Sequence, residues 1–323
     1  MTKSRWMLAA LVGVGLIGVG CAKPRARAAA STPNAVTTMM RRQILNAADA
    51  GEGDPVANRL RQQVAAEAGN VALRLELAAH YGQRGLPELE LEYLRLAVER
   101  FPASAEARLA LARKLRQSGQ PQQGADILEL FLRAQEADSN GGVMAPDPEL
   151  LNLLGICLDD AGDWAAGEQV FRQALAVAPE QDYLHNNLGY NLLRQDRPRE
   201  AIAAFAEALK RNPKSEAAHN NWGLALARSG GVGEALKHFQ AVADPATANS
   251  NLAAALIEQS RWQESRQLLE AALDGSRSHA AALANLKLVS ELDGKPATVR
   301  ARHNHNNPLL WPWLGFRWLF LPE

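Results

Sequence analysis

Side-chain amides are the most regularly placed chemistry in this chain. His-Asn-Asn occupies residues 185–187 and returns at 219–221, an interval of 34 residues, and single asparagines follow at Asn251 and Asn285. An asparagine offers one acceptor and two donors, so a column of them at the spacing of a stacked unit can grip the backbone of an extended polypeptide whatever its side chains. Each such bond contributes about 0.5–1.5 kcal/mol net, so the grip is weak singly and works in series. The alternative is that the amides bond neighbouring elements of their own chain. Arg194 and Arg228 also recur in register; their guanidinium forks either pair with acidic groups on a partner or stay solvated.

Reaction chemistry is harder to find. His185 and His219 stand a whole unit apart, roughly 10 Å across neighbouring helix pairs, too far to share a metal, and packing is their expected role. His303 and His305 in "RHNHNN" supply two ligands in a polar linker, fewer than a metal site needs. No strand-linked glycine loop for phosphate, nucleophile with a base or spaced carboxylate pair lies outside the repetitive part of the chain. The expectation is therefore no catalytic residue, no metal, no cofactor and no small-molecule substrate.

A period of this size calls for elements that stack: helical hairpins, each unable to bury its apolar face alone. Composition allows it. The 323 residues are 47% hydrophobic and 22% charged, enough apolar material for a sizeable core. Basic and acidic residues balance at 35 each, which leaves no overall field to draw in nucleic acid. Of the two cysteines, Cys157 sits in the apolar run "LLGICL" and reads as a buried core residue.

The other cysteine ends a segment with the features of an export signal: Lys3 and Arg5, an apolar and glycine stretch from Met7 to Gly20, then Cys21. "GVGC" resembles the lipobox of bacterial lipoproteins, although Gly18 stands where that family favours leucine. The resemblance implies that Cys21 is acylated and holds the chain on a membrane. Ala22 after the cysteine implies the outer membrane, with the folded part in the periplasm. An uncleaved inner-membrane anchor, or ordinary cleavage near Ala26 to Ala28 giving a soluble periplasmic chain, are the other expectations. Residues 22–36 read as a flexible tether.

The repeat itself is specific. In "NLGYNLLRQDRPREAIAAFAEALKRNP", Leu188-Gly189, Ala201, Phe205, Ala208 and Pro213 fall where tetratricopeptide repeats place small residues, a large filler and a closing proline. Leu154-Gly155, Gly167, Phe171, Ala174 and Pro179 take the same places one unit upstream. Leu77-Ala78, Leu111-Ala112, Trp222-Gly223 and Leu252-Ala253 extend the register. The resemblance implies an all-α, right-handed solenoid of about six hairpins over residues 71–104, 105–138, 148–181, 182–215, 216–245 and 246–279, with the fifth cut short at Pro245. Residues 37–70 form a degenerate N-terminal cap, a helix over 280–292 closes the solenoid within 71–293, and 294–323 is linker and tail.

In that family the first helix of each hairpin lines a concave groove. The resemblance therefore assigns partner binding to Asn186, Asn187, Tyr190, Arg194, Asn220, Asn221, Leu224, Arg228, Asn251 and Asn285, with Ser250 beside them. The column is similar to the asparagine ladder of the sugar-transferring enzyme that modifies nuclear and cytosolic proteins. The basic places of the chaperone-binding carboxylate clamp are absent, which disfavours that partner class.

Residues 308–323, "PLLWPWLGFRWLFLPE", are far too aromatic for a solvated end. Trp311, Trp313, Phe316, Trp318 and Phe320 either fold back on the last helix or into the groove, dock another protein, or sit at a membrane interface. The export signal with the repeat resembles exported tetratricopeptide lipoproteins, closest to that of the tight-adherence pilus, on the phrases between Leu188 and Leu256. This implies a non-catalytic adaptor that grips a protein partner in a pilus or secretion machine. The other reading is an accessory subunit presenting substrate to an envelope or cell-wall enzyme.

Overall fold

The protein is described here by a computed structural model over residues 54–138, 145–299 and the backbone of 319–320. Fourteen helices run through these residues. Helix α1 (Pro55–Ala66) packs on the first of six hairpins: α2 (Val71–Gln83) with α3 (Pro87–Arg100), α4 (Ala105–Gln117) with α5 (Pro121–Asp138), α6 (Pro148–Asp160) with α7 (Trp164–Val177), α8 (Asp182–Arg194) with α9 (Pro198–Arg211), α10 (Glu216–Arg228) with α11 (Val232–Gln240), and α12 (Pro245–Glu258) with α13 (Trp262–Gly275). Helix α14 (Ala280–Asp293) packs on the last pair. The fold is an all-α solenoid.

Local sequence sets each helix. The side chains of Asn70, Ser104, Asp147, Asp163, Ser215 and Asp244 accept hydrogen bonds from first-turn amides that would otherwise lack partners. Proline opens α3, α6, α9 and α12, where its missing N–H costs nothing. Each hairpin turns on one residue at positive φ: Gly85, Gly119, Gly162, Asp196, Gly230 and Ser260 in chain order. The residue after it donates its amide to a carbonyl five places back, as in Arg197 to Leu192 and Arg261 to Leu256, both 3.0 Å.

Inside each hairpin two positions are matched in size. A Cβ added to Gly155 or Gly189 would come within 2.6 Å of the ring of Phe171 or Phe205, and one on Gly223 within 2.9 Å of Phe239. Where the first helix carries alanine instead, at Ala78, Ala112 and Ala253, leucine replaces the ring at Leu94, Leu128 and Leu269 in the same buried clusters. Gly with Phe and Ala with Leu fill one gap in two ways, as close packing requires.

The direction of curvature follows from which helices meet. Each first helix from α2 to α14 touches the next first helix, whereas no second helix touches the next second helix among the described residues. The first helices therefore close up along the inner side and the second helices splay outside.

After α14 the chain turns on Gly294, at φ 70°. Strand β1 (Thr298–Val299) then pairs antiparallel with β2 (Leu319–Phe320), the one departure from helix among the described residues.

Candidate functional site

The inner face is made by the first helices, and amides join its middle. Asn187 donates from Nδ2 to Oδ1 of Asn152 at 2.7 Å, Asn186 donates to Asn187 at 3.2 Å, and Asn221 donates to Asn186 at 2.9 Å. One chain of aligned amides thus runs through α6, α8 and α10. Asn186, expected to face the groove, is only 8% exposed and tied on both sides. It is a seam residue, because its oxygen meets the next first helix. The side chains of Asn251 and Asn285 are half-buried and join no side-chain hydrogen bond among the described residues, and the oxygen of Asn220 is buried without a partner.

The other expected residues also divide. Tyr190 is open, at 38% exposure, and Arg194 is exposed with its guanidinium 5.4 Å from the centre of the Trp164 ring. Leu224 is half-buried between the apolar clusters on either side of α10. Arg228 pairs with Glu258 of the next hairpin at 2.8 Å, so its charge is met within the chain. Ser250 is buried at the seam of α12.

Outside the amide section the seam is ionic. Arg113 pairs with Glu149, and Arg116 with Asp160, from α4 to α6. Exposed side chains in the middle lie along one stripe of α8, on either side of the seam-bonded Asn187. Tyr183, Asn187, Tyr190 and Arg194 stand at helical spacing on the face that Asn187 turns to the seam. Tyr183, 37% exposed, was not anticipated from sequence, nor was Asn152. Asn152 had a signal: with Asn186 and Asn220 it forms a second column at the same 34-residue step.

Behind the stripe lies a polar wall between hairpins three and four. Asn191, fully buried, donates to Asp159 Oδ1 and, at 2.8 Å, to the carbonyl of Trp164. Gln195 donates to Asn191 Oδ1 at 2.7 Å and to Glu168 at 2.9 Å. Burial lifts the carboxyl of Asp159 to about 7, helped by Asp160 and opposed by Asn191 and Arg194. Burial would raise Glu168 too, but donors from Arg172, Gln195 and Arg197 hold it down at about 2. Cys157 is buried and its thiol is pushed up to about 11 by burial, the state of a core residue.

The histidines of the repeated phrase bond between hairpins. A ring nitrogen of His185 sits 2.8 Å from the carbonyl of Pro179, and one of His219 sits 3.2 Å from that of Pro213. A carbonyl only accepts, so each histidine donates there. The other nitrogen of His219 lies 3.1 Å from Nδ1 of His238. Among the described residues no group of three or more His, Cys, Asp or Glu is placed to hold a metal, and no helix is long and apolar enough to cross a membrane. Cys21, His303, His305, Trp311, Trp313, Phe316 and Trp318 lie outside the described residues, and Phe320 is described in its backbone alone.

Comparison with known proteins agrees with this geometry. Residues 109–182 and 186–251 match the tetratricopeptide repeat, and residues 219–308 match the coatomer epsilon subunit. No curated protein matches the sequence. Among solved structures, one similar chain is in the APC/C hetero-tetramer Cut9-Hcn1, with TM-score 0.53 and 15% identity over 77% of this chain and 48% of that one. Another is pilF of Pseudomonas aeruginosa, with TM-score 0.47 and 19% identity over 69% of this chain and 91% of that one. MamA of Desulfovibrio magneticus RS-1 is similar with TM-score 0.43 and 19% identity over 53% of this chain and 91% of that one. At 15% identity the likeness to the Cut9-Hcn1 chain is one of fold. Over residues 109–182 and 186–251 the solenoid is similar to the tetratricopeptide repeat.

Proposed function

We propose that this protein is an exported, membrane-tethered adaptor that holds a segment of a protein partner against the inner face of its first helices, and that binding is its whole activity. The observation that carries the reading is the open stripe of Tyr183, Asn187, Tyr190 and Arg194. To either side the seam is occupied by its own ion pairs, whereas this stripe presents two rings and a cation to whatever lies along it, beside the half-buried, seam-bonded amide of Asn187. Tyrosine and arginine are residue types that carry interface energy.

The amides suit a backbone ligand even though they bond one another. Asn186, Asn187 and Asn221 each donate once from Nδ2 within the chain and keep a second N–H, and each oxygen that accepts keeps a second lone pair. An extended segment across α6, α8 and α10 meets that remaining capacity in series. The tether rests on the resemblance of Cys21 and the segment before it to an export signal with a lipobox, which supports a folded part in the periplasm. The kind of machine, a pilus or secretion assembly, rests on the phrases from Leu188 to Leu256.

A photoreactive phenylalanine analogue at Tyr190, compared with one at exposed Gln173 on the outer helix α7, tests the reading in the native envelope. Crosslinks to one envelope protein from position 190 and none from 173 are expected. Equal labelling from both faces sinks it.

A further inference from the structure

The last turns of four successive first helices carry charge at one register position. Asp160, Arg194, Arg228 and Glu258 each stand seven residues after the place held by Leu153, Asn187, Asn221 and Asn251. All but one of these charges are met within the chain. Asp160 pairs with Arg116 of α4, and Arg228 pairs with Glu258 at 2.8 Å. The guanidinium of Arg194 joins no ion pair and no hydrogen bond among the described residues, and the side chain is exposed. Trp164 backs it, with the ring centre 5.4 Å away, so one face of the planar cation is occupied while its N–H edge stays available. Asp159 feels this charge, yet it bonds Asn191 and burial lifts its carboxyl to about 7, which makes it a poor counter-ion.

The opposite end of α8 has the opposite sign. Asp182 opens α8 and Asp147 caps α6. Burial holds the hydroxyl of Tyr183 above the usual tyrosine range, and the charges of Glu149, Asp147 and Asp182 raise it further. Glu149 is paired with Arg113, whereas Asp147 and Asp182 join no ion pair among the described residues. Tyr183 and Arg194 are roughly 16 Å apart along the helix axis, beyond the ~8 Å over which exposed charges are felt at physiological salt. A guest on this face therefore meets two separate fields, negative beside Tyr183 and positive at Arg194.

We propose that the partner segment is acidic on one edge: an extended stretch of polypeptide crossing α6, α8 and α10 with an aspartate or glutamate turned to Arg194 and no carboxylate turned to Tyr183. This rests on the adaptor reading above and names the chemistry of its ligand. Successive side chains of an extended segment point to opposite sides, so a segment held at Asn187 sends alternate residues toward the last turns and toward the first. Arg194 lies about 10 Å from Asn187 along the helix, within the combined reach of an arginine and a glutamate. A guest carboxylate then does for Arg194 what Glu258 does for Arg228 one hairpin on, and the guanidinium fork can meet it with two parallel bonds. A carboxylate on the other edge faces Asp147, Glu149 and Asp182, and that repulsion sets which edge of the segment turns which way.

Selection of a random-peptide display library on the full chain, followed by affinity measurements on the selected peptides made synthetically, tests this. The peptides are expected to carry an aspartate or glutamate whose replacement by lysine weakens binding by roughly tenfold or more. Arg194→Glu should weaken the original peptides to a similar degree and bind the lysine versions better than the parent chain does. Arg194→Gln should weaken the original peptides and gain nothing with lysine, and both variants should keep the helix content of the parent. Peptides that need Tyr190 but are indifferent to Arg194 and to their own carboxylates overturn this proposal and leave the adaptor reading standing. Peptides that bind Tyr190→Ala and Arg194→Glu as tightly as the parent chain, or a library that yields no binder, overturn both.

Discussion

Asn221 donates to Asn186 across the seam between the fourth and fifth hairpins at 2.9 Å, and the bond that would follow it, from Asn251 to Asn220, is missing. The two bonds that form span the same 35 residues, from 187 to 152 and from 221 to 186. The fifth hairpin has a nine-residue second helix, and across the junction after it the oxygen of Asn220 is buried without a partner.

The two kinds of asparagine should therefore respond oppositely to an apolar substitute. Asn187→Leu breaks bonds to Asn152 and Asn186 and is expected to destabilise the solenoid by about 1–3 kcal/mol, since it leaves partners unsatisfied. Asn220→Leu removes an orphaned buried oxygen and is expected to raise the melting temperature. Thermal unfolding of both variants checks this, and a loss of stability in both would contradict the missing bond.

The glycine and phenylalanine pairs make a second prediction. Gly189→Ala forces a methyl group into the ring of Phe205 and is expected to cost about 1–3 kcal/mol. Phe205→Leu alone leaves a cavity and also destabilises. Together they recreate the Ala253 and Leu269 arrangement, so the double variant should be more stable than either single one. Urea unfolding of the four proteins in the cycle measures the coupling, and simple additivity would refute the size match.

Asp159 gives the solenoid a pH dependence of definite sign. Its carboxyl is held near 7 in the folded chain, against 3.8 ordinarily, so between about pH 4 and 7 the folded state keeps a proton that the unfolded state has lost. Stability through this group is full below the lower value and falls as pH rises to about 7, by about 2 kcal/mol given the water that reaches the carboxyl. His238 acts oppositely: burial and the neighbouring His219 lower its affinity for protons, so its contribution falls as pH drops below the ordinary histidine range. The Asp159→Asn variant isolates the first effect. Its melting temperature should exceed that of the parent chain at pH 8 and converge with it near pH 4.5, whereas a constant offset would remove Asp159 as the source.

The fold was legible because its signals are local and repeated. Gly189 with Phe205 and Gly155 with Phe171 mark where two helices must approach closely, and Gly85, Gly119, Gly162 and Gly230 mark turns that need positive φ. Asp196 and Ser260 take the same backbone turn without glycine, because a short polar side chain tolerates it, and this is invisible to a search for glycine. The site was read less well for a physical reason. Sequence placed Asn186, Asn187 and Asn221 on one face but could not say whether their amides point to a guest or to each other, since that turns on ångström-scale separations between helices. Arg228 looked free for the same reason, until Glu258 was brought beside it from the next hairpin. Tyr183 lay outside the repeated phrase and stood out only by its exposure.

The stripe of α8 is the proposed seat of the partner. The direct measurement is the affinity of the segment captured through position 190 for the full chain and for a variant carrying Tyr183→Ala, Tyr190→Ala and Arg194→Glu, three exposed positions whose replacement breaks no hydrogen bond of the seam. Binding is expected to weaken by at least roughly a hundredfold, as the loss of two or more interface anchors implies, with the helix content unchanged. An affinity equal to that of the parent chain would contradict the account.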